Sequence, residues 1–317
     1  MRRFWCLIFP VFLLIALSGC GSGPAGSGSG GGGQSGSAAS SYGSEEQEER
    51  FGLSAEWPTY GPDAPAVSVL AENRTGEDIS AEAEWSVERE QDGAWTALSG
   101  AEGRTKAAIT IAAHDSAAIT IPLTGLPQPL EEGAYRVIAV IGDDAAAAPF
   151  TVSGDSPITA AAPYGLQALE TLPENYSAAE AADDGCMVFA TGAEVRNGDA
   201  MDTFLAKVRV GMPCQLRLAR FSAGEAPVIE DVLFQPESGA ERFTARTDNS
   251  RDHAGGTAAA SESRYGFLTT DGWSIWLSHA AQWDASADAS SAELLAGDEA
   301  APYIPAVQAL SKVYASW

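Results

Sequence analysis

The first half of the chain alternates between apolar and polar residues in short segments. Between residues 79 and 90 one face would carry Ala81, Ala83, Trp85 and Val87, and the other Glu82, Glu84, Ser86 and Glu88. A period of two residues is typical of a strand with one buried face. Other short apolar segments lie at residues 67–70, 109–111, 119–121, 135–137 and 149–152, with turn signals such as Asp92-Gly93 between them. This spacing predicts an all-β sandwich over residues 51–153.

The pattern changes after residue 163, where helical and strand periods follow one another. Ser177 and Glu180 have the spacing of a capping box, which predicts a short helix from residue 178 to about 183. A strand at 186–190, an amphipathic helix at 199–210 and a strand at 214–221 predict one right-handed βαβ crossover. An antiparallel meander and a closing helix complete a small α+β domain over residues 164–317, with strands at 228–234, 240–246, 264–270 and 273–277, a hairpin turn at Asp271-Gly272 and the helix at 303–317.

Segments of the first domain resemble bacterial immunoglobulin-like domains. They are residues 72–76 (Glu-Asn-Arg-Thr-Gly), 85–88 (Trp-Ser-Val-Glu), 92–95 (Asp-Gly-Ala-Trp) and 133–136 (Gly-Ala-Tyr-Arg). Leu130, Gly133 and Tyr135 are also similar to the tyrosine corner of that fold, in which the tyrosine hydroxyl bonds back to the chain. The resemblance implies a spacer or interaction module without catalysis. Trp85 and Trp95 would either pack within the domain or form a platform for carbohydrate, and we favour packing.

Part of the second domain resembles a domain family of Firmicute lipoproteins and secreted proteins, the domain of unknown function 4362. The similarity lies in residues 172–176 (Leu-Pro-Glu-Asn-Tyr), 184–188 (Asp-Gly-Cys-Met-Val), 217–220 (Arg-Leu-Ala-Arg) and 247–256. It covers about residues 173–277. This resemblance brings no agreed activity, cofactor or substrate to the chain.

The first twenty residues resemble a bacterial lipoprotein signal. Two arginines precede an apolar segment at residues 4–16, and residues 17–20 read Leu-Ser-Gly-Cys, the pattern of a lipobox. The resemblance implies removal of residues 1–19 and a diacylglycerol on Cys20, which would hold the protein on the outer face of the bacterial cell membrane. An ordinary secretory signal or an uncleaved membrane anchor is the alternative. Residues 20–50, rich in Gly and Ser and then acidic, would form a flexible linker. Its Gly/Ser tract at residues 21–43 would have a root-mean-square span of about 25–30 Å.

Charge and motif content restrict the partners. The chain has a formal net charge of -25, from 43 acidic and 18 basic side chains. This balance disfavours nucleic acid, whose phosphates require basic patches, and disfavours electrostatic binding to anionic lipid headgroups. The histidines are far apart, and the sequence contains no Cys-x-x-Cys, His-Glu-x-x-His or P-loop motif. We therefore expect neither a metal nor a cofactor.

The cysteines outside the signal segment leave two interpretations open. Cys186 and Cys214 remain when Cys6 and Cys20 are set aside. They stand at the starts of two strands joined by the crossover, so a disulfide between them is one interpretation. The other is a pair of buried thiols that act as small apolar side chains.

Residues 248–256 (Asp-Asn-Ser-Arg-Asp-His-Ala-Gly-Gly) hold the candidate site. Oxygen-bearing side chains alternate at 248, 250 and 252 as they do in calcium loops, but no glutamate follows at the expected position. A structural loop, ligand or ion binding, and catalysis beside His253 are three interpretations, of which we favour the structural loop. If the segment does bind, Asp248, Arg251 and Asp252 should carry the contacts, with Arg251 gripping an anionic group.

Together these features predict a lipid-anchored, surface-exposed bacterial protein with a non-catalytic binding or interaction role. Its partners would be the membrane, through the lipid on Cys20, and an unidentified protein or other envelope ligand. Two alternatives remain open: an envelope hydrolase that uses residues 248–253, and an accessory or sensor subunit of an envelope system. The sequence contains no recognisable catalytic constellation, which favours a protein that is not an enzyme.

Overall fold

The computed structural model describes residues 50–126, 129–222, 227–251, 260–284 and 291–314. Within them the first domain consists of β1 (Phe51–Ala55), β2 (Thr59–Tyr60), β3 (Ala66–Asn73), β4 (Ile79–Ala81), β5 (Ala83–Gln91), β6 (Ala94–Arg104), β7 (Ile109–Ile111), β8 (Ser116–Pro122), β9 (Gly133–Ile141) and β10 (Asp144–Val152). One sheet has the order β1-β3-β8 and another the order β2-β10-β9-β5-β6, while β4 pairs with β7. The short β2 runs parallel to β10, and the other pairs are antiparallel.

The two larger sheets of the first domain share one apolar core. Val69 and Ile121 reach it from the first sheet, and Val87 and Val137 from the second. Phe150 lies between two tyrosines, with its ring centroid 5.4 Å from that of Tyr60 and 5.6 Å from that of Tyr135. The predicted all-β sandwich is therefore confirmed.

The tyrosine corner is present at the predicted position. The Tyr135 hydroxyl donates a hydrogen bond of 2.7 Å to the carbonyl of Glu131, four residues upstream. Tyr135 is almost fully buried, so this bond satisfies a hydroxyl that has left water. The contact fixes the start of β9 against the loop that precedes it.

Trp85 and Trp95, the proposed carbohydrate pair, pack against the first domain itself. Trp85 is half-buried and lies against the core. A Cβ atom at Gly103 would stand 2.3 Å from the Trp85 ring, so the glycine allows β6 to pass directly beside the indole. The Arg136 guanidinium lies 4.5 Å from the ring centroid of Trp95. These contacts favour packing over a carbohydrate platform at this pair.

The second domain contains helices α1 (Ala178–Asp183), α2 (Asp199–Arg209) and α3 (Ile304–Tyr314) and strands β11 (Met187–Ala190), β12 (Cys214–Phe221), β13 (Val228–Phe234), β14 (Phe243–Asp248), β15 (Ala260–Tyr265), β16 (Phe267–Thr270), β17 (Ile275–Ser278) and β18 (Glu293–Ala296). One sheet has the order β11-β12-β13-β14-β15, and a smaller sheet has the order β16-β17-β18. β11 is parallel to β12, and α2 connects them. The remaining pairs are antiparallel. The predicted crossover, meander and α+β class are confirmed.

The inner strands of the larger sheet are covered on both faces, whereas its edge strand β15 is largely exposed. One face packs on α2, α3 and the smaller sheet through residues such as Leu216, Leu218 and Val232. The other face is covered by α1 and the segment before it, through Leu169, Leu172, Tyr176 and Ala181. Polar side chains that alternate with apolar ones along these strands therefore do not all point into water.

Local signals placed several elements of the second domain correctly. The Ser177 hydroxyl accepts from the Glu180 amide at 3.2 Å, and the Glu180 carboxylate accepts from the Ser177 amide at 2.9 Å, which is the predicted capping box. The predicted strand 264–270 is instead two strands, because the chain leaves the larger sheet at Gly266. A Cβ atom there would stand 2.9 Å from the Ala240 carbonyl oxygen. The closing helix is described to Tyr314, and residues 315–317 lie outside the described residues.

The two domains are joined by direct polar contacts. Lys207 Nζ on α2 lies 2.7 Å from Glu56 Oε1, and Arg209 Nη1 lies 2.7 Å from Asp115 Oδ1. The Ala118 amide also donates to the Val210 carbonyl at 2.8 Å. The end of α2 is thus attached to the β1-β3-β8 sheet of the first domain by both side-chain and backbone bonds.

Candidate functional site

The structure brings together Asp248 and Arg251 of the predicted site. Arg251 Nη1 donates to Asp248 Oδ2 at 2.5 Å. The other bonds of this guanidinium go to backbone carbonyls, at 3.1, 2.9 and 2.9 Å from Leu169, Leu172 and Pro173. Each of the two side chains is 5% exposed. Arg251 therefore holds the segment before α1 against the end of β14.

The pKa of Asp248 reflects the hydrogen bonds that its carboxylate accepts. Burial alone would raise the pKa of the Asp248 carboxyl, but hydrogen bonds from Ser250 and Arg251 outweigh burial and lower this pKa below its ordinary value. The Ser250 amide donates to Asp248 Oδ1 at 2.8 Å. Both charges are engaged within the domain, which favours the structural-loop interpretation. Asp252 and His253 lie outside the described residues, so their predicted roles stay predictions.

A second buried arginine supports the same segment. Arg217 Nε and Nη2 donate to the two carboxylate oxygens of Asp231 at 2.6 and 2.8 Å, and Nη2 also donates to the Gln167 carbonyl at 2.7 Å. Arg217 is 2% exposed. Sequence reasoning missed this pair because Arg217 alternates with Leu216 and Leu218 along β12, a pattern that indicates an arginine facing solvent.

The interpretation of Cys186 and Cys214 as a disulfide is corrected, because both are free and buried thiols. They lie on opposite faces of the larger sheet, Cys186 in the core with Tyr176 and Cys214 in the core with Leu216. Met187 is registered with Leu218, so the two cysteines are also offset by about 10 Å along the strands. Burial raises the pKa of both thiols, which therefore remain protonated at neutral pH.

Another buried carboxylate has a perturbed pKa but serves to join two sheets. Glu230 is 3% exposed, and its Oε2 accepts from Arg220 at 2.6 Å. Arg220 in turn donates to the Leu295 carbonyl of β18 at 2.7 Å. Burial raises the pKa of the Glu230 carboxyl, the Arg220 charge opposes this, and the nearby Glu293 adds to it. Glu230 Oε1 has no hydrogen-bond partner among the described residues.

The main candidate for ligand binding is a cleft between the two domains. It has a volume of about 280 Å³. Trp57, Tyr60 and Pro65 line it from the first domain, and Tyr164 and Pro236 line it from the other side. Aromatic rings and prolines therefore form most of the apolar lining of the cleft. Polar groups at the same cleft come from Ser68, Thr120, Gln235 and Glu237.

Contacts within the protein hold Trp57 in place at the wall of the cleft. Lys207 Nζ lies 4.9 Å from the Trp57 ring centroid while it pairs with Glu56. The Tyr60 hydroxyl accepts from the Trp57 amide at 3.3 Å and donates to the Ser68 carbonyl at 3.5 Å. Burial raises the pKa of this phenol. The contacts fix two aromatic rings of the cleft before any ligand enters.

Within the described residues, no group of three or more His, Cys, Asp and Glu side chains could hold a metal ion. His114 lies in a turn of the first domain, and the His279 ring packs at a tilt of 33° against Tyr265 in the second, with a centroid distance of 5.2 Å. No helix in this part of the chain is long and apolar enough to cross a membrane.

Comparison with known proteins identifies the first domain. Residues 47–151 match a family described as bacterial Ig-like domain. The first domain is immunoglobulin-like. This agrees with the sandwich and with the tyrosine corner, and an immunoglobulin-like domain is typical of surface and interaction roles. No curated protein matches the chain.

Solved structures resemble about a third of the chain at low similarity. A Pseudomonas fluorescens alkylpurine DNA glycosylase bound to DNA is 12% identical, with 33% of this chain and 30% of that chain covered and a TM-score of 0.24. A Paenibacillus cycloisomaltooligosaccharide glucanotransferase is 13% identical, with 32% and 14% covered and a TM-score of 0.24. The CARDB domain of a Pyrococcus furiosus protein is 13% identical, with 33% and 86% covered and a TM-score of 0.22. Similarity at this level carries no argument about function.

Proposed function

We propose that this protein is a non-catalytic binding protein, held by lipid on Cys20 at the outer face of a bacterial membrane, and that the interdomain cleft receives its ligand. The observation that carries the binding role is the cleft itself. Binding sites favour domain interfaces and combine mostly apolar walls with a few placed polar groups. The rings of Trp57, Tyr60 and Tyr164 supply such walls, and Ser68, Thr120 and Gln235 supply the polar groups.

The charge of the chain limits what the cleft would take. Glu237 stands at the cleft and is exposed, and the whole chain has a formal net charge of -25. An anionic ligand would approach against this field, whereas an uncharged or cationic one would not. We therefore expect an envelope component with an apolar surface and no net negative charge.

Filling the cleft should weaken ligand binding without unfolding the protein. In the mature chain carrying Cys20→Ser, we expect Glu237→Trp to place an indole at the cleft and to weaken capture at least tenfold, equivalent to about 1.4 kcal/mol. The measurement is the recovery of a defined component from solubilised native envelope by the immobilised protein. Glu194→Trp is the matched control, because Glu194 is exposed and lies away from the cleft. Equal recovery by wild type and both variants would contradict the cleft assignment.

The membrane anchor has a separate test. Cys20→Ala should release the protein from the membrane fraction, because the proposed lipid attaches at this sulfur and at least two acyl chains are needed for stable anchoring. Cys6→Ala is the matched control, since Cys6 lies in the segment that would be removed, and it should stay membrane-bound. Fractionation followed by immunodetection measures both variants. If Cys20→Ala stayed as membrane-bound as wild type, the proposed lipid attachment would be wrong. This result does not depend on whether the cleft binds a ligand.

A further inference from the structure

The β16–β17 hairpin carries tryptophans that the core does not need. Its tip is Asp271-Gly272-Trp273-Ser274, where Gly272 has a φ of 97°. Ile275 and Leu277 are fully buried and fill the core side of β17. Trp276 points to the other side of the strand, and Trp273 at the tip is 81% exposed. One exposed apolar side chain is ordinary on a folded domain, so the significance of Trp273 depends on the other apolar side chains at this end of the domain.

Two indoles at this end of the domain, those of Trp276 and Trp283, are held in a fixed arrangement, and the backbone of Trp273 is held beside them. Trp276 stacks on Trp283 with a centroid distance of 4.7 Å and an interplanar angle of 27°. Asp271 Oδ2 accepts from Trp276 Nε1 at 3.1 Å. Asp271 Oδ1 accepts from the amides of Trp273 and Ser274 at 2.8 and 2.7 Å. We call Trp273, Trp276 and Trp283 the indole platform.

One carboxylate thus fixes both the hairpin turn and an indole of the platform. Partial burial alone would raise the pKa of Asp271, but hydrogen bonds from Trp273, Ser274 and Trp276 outweigh it and lower this pKa. The carboxylate is therefore charged at neutral pH and keeps its three donors. Because the rings of Trp276 and Trp283 are positioned before binding, a ligand loses less free energy in ordering them.

The segment of the chain that carries the platform is apolar and acidic. Leu294, the cross-strand partner of Trp276, is 45% exposed and extends the apolar surface. Between Arg264 and Lys312 the sequence contains no lysine or arginine, whereas Asp271, Asp284 and Glu293 lie in this region. Peripheral attachment to anionic lipid requires basic residues near the aromatic ones. The charge pattern therefore disfavours an anionic bilayer or an anionic polymer.

We propose that the indole platform binds neutral saccharide chains. A pyranose ring has an apolar C–H face that stacks on a flat indole, and hydroxyl groups at its edge that donate to carboxylates such as Asp271. The exposed tip suits a chain that lies across the rings, whereas a proline-rich peptide is held in an aromatic-lined groove. The platform requires neither the cleft nor the lipid on Cys20. At an outer membrane face it would add a contact with envelope glycan.

The test uses two uncharged hexasaccharides, chitohexaose and cellohexaose, with the mature chain carrying Cys20→Ser. We expect wild type to bind at least one of them, with a change in tryptophan emission, and Trp273→Ala to bind it at least tenfold more weakly. Trp273→Phe keeps an aromatic face and should retain part of the binding. Because Trp273 is 81% exposed, neither substitution should change the melting temperature. Trp95→Ala, in the first domain, controls for the loss of a tryptophan.

Several outcomes would overturn the proposal. They are failure of wild type to bind both hexasaccharides, binding that Trp273→Ala leaves unchanged, and binding only to phosphatidylglycerol vesicles or to a polyproline decapeptide. The last two probes separate a membrane surface and a peptide from a saccharide. Glu237→Trp should bind the hexasaccharide as wild type does, so the failure of the platform and the failure of the cleft are distinguishable.

Discussion

Replacing Arg217 by alanine is expected to lower the free energy of unfolding by about 3–5 kcal/mol, because it leaves a buried carboxylate without its partner. Asp231 is 4% exposed and accepts both of its side-chain bonds from this guanidinium. The substitution also removes the donor to the Gln167 carbonyl. Urea unfolding at neutral pH, followed by circular dichroism, measures the change.

Two further variants separate this effect from the general loss of an ion pair. Arg246 pairs with Glu262 across β14 and β15 at 3.0 Å, but both side chains are largely exposed. Arg246→Ala should therefore leave the stability nearly unchanged. The double variant Arg217→Met with Asp231→Leu removes both buried charges and should recover most of the loss. If Arg217→Ala lowered the free energy of unfolding no more than Arg246→Ala does, the buried pair of Arg217 and Asp231 would not stabilise the domain as we expect.

Much of the fold could be predicted because its signals are local. The alternation at residues 79–90 indicates one half-buried strand, and β5 covers residues 83–90 of it. Residues 79–81 instead form β4, which pairs with β7 in another sheet. Ser177 and Glu180 mark the start of α1 because both capping bonds join residues three apart in the chain. Tyr135 marks its corner for the same reason, since the hydroxyl reaches back four residues. Each of these features depends only on neighbours in sequence.

The parts that could not be predicted depend on what covers each element. The pattern of β12 assigns Arg217 to a polar face, but the segment at 167–173 buries that face and supplies a carbonyl acceptor. The order of Cys186 and Cys214 along the chain is compatible with a disulfide, but the two side chains lie on opposite faces of the larger sheet and stay apart. β18 is four residues long and has no period that distinguishes it.

The candidate sites show the same limit. The Asp271-Gly272 signal predicted a hairpin correctly, yet the exposure of Trp273 and the stacking of Trp276 on Trp283 follow only from tertiary packing. The cleft is formed where Trp57 of the first domain faces Tyr164 beyond the linker, and no local pattern encodes that contact. Asp248 and Arg251 were correctly grouped, because they are three residues apart, but their burial was not visible in the sequence.

Replacing Arg251 should lower the free energy of unfolding by a similar amount, and its effect should be concentrated in one segment of the chain. Arg251→Ala leaves Asp248 buried without its partner and removes the donors to the carbonyls of Leu169, Leu172 and Pro173. We expect a loss of about 3–5 kcal/mol in the free energy of unfolding. Hydrogen exchange should also accelerate in residues 167–173 more than in the first domain, because the lost bonds all hold that segment. Uniform acceleration across both domains would contradict this local role.

Comparing the stability of wild type and Asp248→Ala at several pH values gives a further test. The difference between them should depend on pH because the Asp248 carboxylate is hydrogen-bonded in the folded state. The folded-state pKa of Asp248 is lowered, so its contribution to stability is present above the ordinary value of about 3.9 and is lost as the pH falls through the folded-state pKa. The stability difference between wild type and Asp248→Ala should thus be largest near neutral pH and shrink in acid. A difference that is constant with pH would show that the carboxylate is not held as described. If Asp248→Ala lost envelope capture at an unchanged melting temperature, the ligand-binding interpretation of residues 248–252 would replace the structural one.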